Sequence, residues 1–240
     1  MQTVISNESY IILVVVAVLA LVALIYLLSP MSLIDELIAR GAVIRARLWD
    51  RLERHAYPDD TRSVWVAGSI AVALEHHEAI SLLIERQLTG SAFALVRSMV
   101  DTVVRAHWIN AVASEDQVEQ AREDENVFPS MSEMSKTVGK AYGADELFGR
   151  FTAEWRAMCS YTHSGALQIG YRFTGTDVKP SYKKEAKVQV LNLTNMAVLF
   201  LAGMFFMSTG HQPEADETRT MLLDYTSEFG ERLRAVIGNE

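Results

Sequence analysis

The residues with the clearest chemical potential lie between Glu154 and Gly165, which read EWRAMCSYTHSG. Arg156, Ser160 and His163 are spaced i, i+4, i+7, so a helix would present all three on one face. A guanidinium can hold a phosphate bidentately, and an imidazole can move a proton near neutral pH. Cutting RNA through its 2′-hydroxyl requires little more, and no metal. The bland alternative is a structural histidine near a helix end, hydrogen-bonded to Ser160 or to Asp101 of a neighbouring helix. A second constellation is the stripe Arg97, Asp101, Arg105, each four residues from the next. Its helix is apolar on most sides, so these charges must be paired in a structural ladder or line a cleft. Tyr161 belongs with this polar cluster as a candidate substrate-binding or structural residue. A third is Glu75-His76-His77-Glu78. Adjacent histidines on a helix point about 100° apart and share a metal poorly. No Glu-x-x-His pair suggests a di-iron site, so no metal and no cofactor is expected.

The elements that position these groups begin with Tyr10–Leu28, nineteen residues without a charge. At about 1.5 Å per residue they match the ~30 Å hydrocarbon layer of a bilayer. Residues 1–9 contain no Lys or Arg, unlike a secretory leader. The reading is therefore a retained anchor over residues 1–30. Arg40, Arg45, Arg47, Arg51 and Arg54 follow it, which places the N-terminus outside and the remainder in the cytoplasm, as a single-pass protein of the inner (cytoplasmic) membrane. Residues 31–56 then form a stalk helix, with Leu37, Ile44 and Leu48 among its apolar repeats. Its basic face could lie near anionic headgroups, join two copies, or simply be solvated.

Residues 57–240 form the remaining domain, read as an all-α helical bundle. Asp60 or Thr61 caps a long apolar helix closed by Thr89-Gly90. A third helix runs from Ser91 to about Ala113, and these two are the expected core. A short acidic segment, a weaker helix over 130–142 and an amphipathic helix over 145–162 follow. Ser164-Gly165 reads as a helix stop. Residues 169–182 look irregular or extended. Val188–Gly210 is uncharged, but its polar residues cut the apolar part to about twelve, the length of a core helix rather than a span. The last helix begins near Glu214.

The net charge of −8 lacks the basic footprint of a broad nucleic-acid binder. It leaves room for an enzyme with a local basic cleft. The single cysteine, Cys159, permits no internal disulfide and reads as a small buried hydrophobe.

Arg156-x6-His163, on a late helix of an all-α domain, resembles the R-x(4–6)-H motif of the HEPN superfamily. The phrase Ser160-Tyr161-Thr162-His163-Ser164-Gly165, after a helix with Arg97-x3-Asp101-x3-Arg105-x2-Trp108, resembles helical bacterial proteins of the same kind. The resemblance covers roughly residues 60–210. Many HEPN proteins are metal-independent ribonucleases in toxin or phage-defence systems, with paired motifs meeting at a dimer interface. The resemblance implies Arg156 on the scissile phosphate, His163 as general acid and base, a homodimer, an RNA substrate and a partner protein of a defence system. This chain carries Ala157 where family members often have Asn, Asp or His after the arginine. The alternatives are a non-enzymatic, membrane-tethered sensor or interaction module, and an effector that injures the membrane through a second span.

Overall fold

The computed structural model describes residues 31–54, 56–123 and 126–237. The expected anchor, Tyr10–Leu28, lies outside the described residues. Ile34–Glu240 form one compact unit, and the residues up to Leu33 fall in a separate one. Among the described residues the fold is all-α: nine helices and one two-residue-per-strand hairpin.

Helix α1 (Leu33–Arg54), expected to stand apart as a stalk ahead of a domain beginning at residue 57, is instead a wall of the same unit. Leu37, Ile44 and Leu48 are fully buried. Each such side chain contributes about 1.5–3 kcal/mol on leaving water. Gly41 makes the approach possible, because a Cβ there would sit 2.6 Å from Asn195 Oδ1. Three arginines of the basic face pair with acids of other helices at the surface. Arg40 meets Glu228 at 3.4 Å, Arg45 meets Glu78 at 3.3 Å and Arg51 meets Glu217 at 2.6 Å.

Helices α2 (Thr61–Glu85) and α3 (Thr89–Ala111) form the expected core hairpin. Asp60 caps α2, its carboxylate accepting from Ser63 N–H at 2.9 Å. Arg62 ties the start of α2 to the end of α3, donating to the carbonyls of Ile109 and Ala113. The turn between the helices falls two to three residues earlier than the sequence pattern suggests. Gln87 takes φ +60°, while Thr89 and Gly90 already belong to α3. Gly90 is there for closeness: a Cβ would lie 2.5 Å from Tyr182 Oη and 2.6 Å from Arg172 Nη2.

Helix α4 (Glu115–Arg122) opens with a capping box between Ser114 and Gln117. Helix α5 (Met131–Tyr142) starts on Ser130 and stops at Gly143, which is left-handed at φ +63°. Helix α6 (Asp145–Thr162) and the short α7 (Ala166–Gly170) follow. Strands β1 (Phe173–Thr174) and β2 (Asp177–Val178) form an antiparallel hairpin pairing Phe173 with Val178. Helix α8 (Lys184–Ser208) is long and apolar enough to cross a membrane by length and composition. It packs on α2, α3 and α9 (Gln212–Ile237), with 56 % of its most apolar window buried in the fold. Its polar residues are accommodated inside: Asn195 is fully buried and hydrogen-bonded, and Thr194 donates its hydroxyl proton back to Leu191 O.

Candidate functional site

Helix α6 ends on a Schellman-type stop. His163 is its C-cap, with its N–H on Cys159 O at 3.0 Å. Ser164 takes the left-handed φ of +51°, and Gly165 N–H reaches back to Ser160 O at 2.7 Å. The Ser160 hydroxyl accepts from Leu167 N–H at 3.1 Å, so it caps the next helix. A Cβ at residue 165 would sit 2.6 Å from Ser160 Oγ, which is why glycine is required there. Ser160 is thus committed to the α6–α7 corner.

His163 is exposed at that corner. Its Nε2 lies 2.6 Å from Arg97 Nη1. A guanidinium only donates, so Nε2 accepts and the ring proton sits on Nδ1. Arg97 also lies over the Trp155 ring, 5.0 Å from its centroid. That stacking aims the guanidinium at the end of α6. The partner anticipated for His163 is Ser160 or Asp101. Arg97 takes that place because α3 and α6 pack side by side.

The Arg97–Asp101–Arg105 stripe therefore divides. Asp101 and Arg105 form an ion pair at 3.0 Å that lacks hydrogen-bond alignment, and Arg105 lies 4.5 Å from the Phe128 ring centroid. Arg97 turns to His163. Arg156 is exposed on α6, and no hydrogen bond or ion pair joins it to His163 among the described residues. Tyr161 points elsewhere. It is half-buried, edge-on to Phe93 at 5.2 Å and stacked on Tyr171 at 6.4 Å, and Tyr171 in turn stacks on Tyr182 at 5.3 Å. Burial, then the neighbouring tyrosines, push its phenol pKa up to about 12.

Within the Glu75–Glu78 run, His77 is fully buried and engaged. Its Nε2 donates to Asn195 Oδ1 at 2.7 Å, and Arg45 Nη1 lies 3.4 Å from its Nδ1. Asn195 Nδ2 donates to Leu37 O at 3.2 Å and faces Tyr225 Oη at 3.4 Å, while Tyr225 donates to Asn192 Oδ1 at 3.0 Å. This network joins α1, α2, α8 and α9. Among the described residues no group of three or more His, Cys, Asp and Glu side chains is placed to hold a metal.

A cleft of about 730 Å³ opens on the other face of α6. Its floor is α3, on which α6 and α8 both pack without packing appreciably on each other. Leu147, Arg150, Glu154, Ala157 and Tyr161 line it from α6, so Arg156, Ser160 and His163 face away from it. Sequence reasoning misses both this cleft and Trp155 as the stacking partner of Arg97. The spacing of Ala153 and Ala157, small residues on an amphipathic helix, is the available signal.

Residues 70–231 match the family described as "Family of unknown function (DUF6988)". The chain belongs to DUF6988. The DUF6988 match takes in the Arg97–His163 corner and the whole cleft lining, and leaves out α1 and the residues before it. No curated protein and no solved structure matches the chain.

Proposed function

We propose that the protein is a membrane-anchored, metal-independent ribonuclease of the HEPN type, acting as a toxin or phage-defence effector. The observation that carries this reading is the solvent-exposed contact of Arg97 with His163 Nε2 at 2.6 Å. A guanidinium beside a neutral imidazole suits a phosphodiester: the arginine takes the phosphate, and the freed Nε2 takes a proton. In the reaction the 2′-oxygen of RNA attacks the adjacent phosphorus and its proton passes to His163. The 5′-oxygen leaves and takes a proton from water or from the second copy's histidine, giving a 2′,3′-cyclic phosphate and a 5′-hydroxyl. Arg156, exposed on the same helix, would hold a neighbouring phosphate. The HEPN resemblance adds a homodimer whose second copy supplies a second histidine, and an activating partner protein. Tyr10–Leu28 would tether the enzyme with its catalytic unit in the cytoplasm, where protease added outside intact spheroplasts leaves residues 32–240 whole.

The test is RNA cleavage by the purified full chain in the presence of EDTA. His163→Ala should lower the rate about 10²–10⁴-fold, and Arg97→Ala should also impair it. The melting temperature of His163→Ala should stay within a degree or two, because the side chain is exposed. A full chain that leaves RNA intact under every condition, or a fully active His163→Ala, overturns the proposal. The second reading is a non-enzymatic, membrane-tethered interaction module. It is favoured by Ser160 serving as a helix cap and by Asp101 and Arg105 pairing with each other. On that reading His163→Ala alters partner capture and no RNA is cut.

A further inference from the structure

One end of the helical unit collects apolar and basic residues in a pattern of its own. Strands β1 and β2 set Phe173 directly opposite Val178, so the two side chains share a face. They are 45 % and 80 % exposed. Leu167 and Ile169 on the adjoining α7 are exposed too, as is Leu88 in the α2–α3 turn. That turn is held to the same end: Lys187 Nζ donates to Gln87 Oε1 at 3.0 Å, and Gln168 Nε2 donates to Gly90 O at 3.4 Å. Apolar side chains gathered in one place and rimmed by charge mark an interaction site.

The rim is basic. Leaving aside Lys183, which is already engaged, the segments 85–90 and 167–187 carry Arg86, Arg172, Lys179, Lys184 and Lys187 against Glu85, Asp177 and Glu185. This local excess of cations belongs to a chain of net charge −8. Arg86, Lys179 and Lys184 are exposed, and Lys187 keeps its charge because its partner is an amide.

The unit also begins at this end. Glu36, near the start of α1, meets Arg232 near the end of α9 at 2.6 Å, while Arg51 meets Glu217 near the start of α9 at 2.6 Å. Helix α1 is therefore antiparallel to α9. Asn195 faces Tyr225 and Gly203 faces Thr218, so α8 is antiparallel to α9 as well. Helices α1 and α8 thus start together, beside the hairpin that leads into α8. Leu33, the first residue of α1, follows Leu28 by five positions. On the tether reading, that short connection holds this end near the anionic cytoplasmic leaflet.

We infer that the β1–β2 hairpin and α7 seat this end of the unit on an anionic lipid leaflet. Ile169, Phe173 and Val178 enter the headgroup boundary, and Arg86, Lys179 and Lys184 meet the lipid phosphates. The charge alone would also suit an acidic protein; the apolar tip at the tethered end selects lipid. The seating rests on the tether of the proposed function and on none of its ribonuclease chemistry.

The test uses the full chain with Cys159→Ala and Val178→Cys, labelled with the fluorophore NBD and reconstituted in vesicles whose lipids carry doxyl quenchers. Quenching at 178 should exceed at least threefold that at Gln120→Cys, on α4, which meets the opposite end of α2. Adding phosphatidylglycerol to phosphatidylcholine should raise the ratio of seated to free probe. Lys179→Gln with Lys184→Gln should lower that ratio, about fivefold for each lysine, and high salt should lower it too. Should Val178→Cys fail to fold, Thr176→Cys at the hairpin turn takes its place. Alkaline carbonate extraction reads the tether separately, because only a spanning chain stays with the lipid. A chain that resists carbonate but shows no quenching at 178 overturns the inference and leaves the tether standing. A chain released by carbonate, yet quenched at 178 on anionic vesicles, keeps the inference and removes the tether. A blue-shifted probe without lipid quenching reports a protein partner or a second copy on the patch and overturns the inference, as does quenching indifferent to lipid charge.

Discussion

Two buried histidines, His77 on α2 and His107 on α3, are handled in opposite ways. Both have no exposed surface. His77 has a partner at each ring nitrogen and serves as the junction of a polar seam through α1, α2, α8 and α9. His107 has no hydrogen-bond partner at either nitrogen among the described residues. It is walled by the rings of Tyr142, Phe148 and Phe200 at 5.1–5.3 Å. A histidine in a saturated network specifies how helices meet. One enclosed by hydrocarbon and rings only contributes volume, at the cost of two stranded polar atoms. His163, outside both regions, is exposed and meets Arg97.

Acid should expose the shared weakness of the two regions, and this is the largest effect expected. Burial is the first cause in both cases, lowering the His77 pKa to about 4 and the His107 pKa to about 3 from 6.5. The folded state therefore holds both rings neutral while the unfolded chain protonates them. Stability is complete above pH 6.5 and is lost as pH falls toward 4. Each pH unit costs about 1.4 kcal/mol per histidine. Between pH 6.5 and 4 the two together amount to on the order of 7 kcal/mol, comparable to the whole stability of many domains. Urea titrations at stepped pH should show a loss of up to roughly 3 kcal/mol per unit in that window. A flat profile would mean that neither ring is buried neutral in solution.

Breaking the seam alone should cost less. Asn195→Ala strands His77 Nε2–H in the interior and removes the second bond to Leu37 O, which keeps its helical partner. The abandoned donor costs about 1–3 kcal/mol, so a loss in that range is expected by urea unfolding. The same variant relieves the approach at Gly41, where Asn195 Oδ1 is the nearest atom to an added methyl group. Gly41→Ala should therefore destabilise the natural sequence more than it destabilises Asn195→Ala. Additive losses would show that α1 does not seat on Asn195.

The helices were legible because their boundaries are written in local chemistry. Asp60, Ser114, Ser130, Gly143 and Ser164-Gly165 mark ends set by local side-chain caps and left-handed stops. Gly90 misled for a tertiary reason: it admits Tyr182 and Arg172 rather than stopping a helix. The role of α1 was hidden in the same way, since the acids that neutralise its arginines lie up to 188 residues away, as Arg40 and Glu228 do. At the candidate site, one-helix spacing groups Arg156, Ser160 and His163 by period alone. It could not reveal that Ser160 is spent on Leu167 N–H or that Arg97 arrives from α3. The cleft was invisible because it depends on α6 and α8 standing apart on α3, which no single-helix pattern encodes.

The smallest effect is the sharpest test of the contrast. His107→Leu removes a donor and an acceptor that have no partners and keeps a side chain of similar bulk. Relief of the stranded atoms contributes about 1–3 kcal/mol. Against it stand lost ring contacts, about 0.5–1.5 kcal/mol per aromatic pair, and a repacking cost under about 1.5 kcal/mol. The balance should fall near zero, within about 1 kcal/mol either way at pH 7. His77→Leu at the matching depth should lose about 3 kcal/mol, because Asn195 and Arg45 are left facing carbon. The acid profile separates the two regions further. His107→Leu should halve the pH dependence between 6.5 and 4, from two protons to one, and so gain its stability advantage only as the medium turns acidic. A loss above 2 kcal/mol at pH 7 would show that His107 has a hydrogen-bonding partner in solution, and the distinction between a networked and an enclosed histidine would not hold.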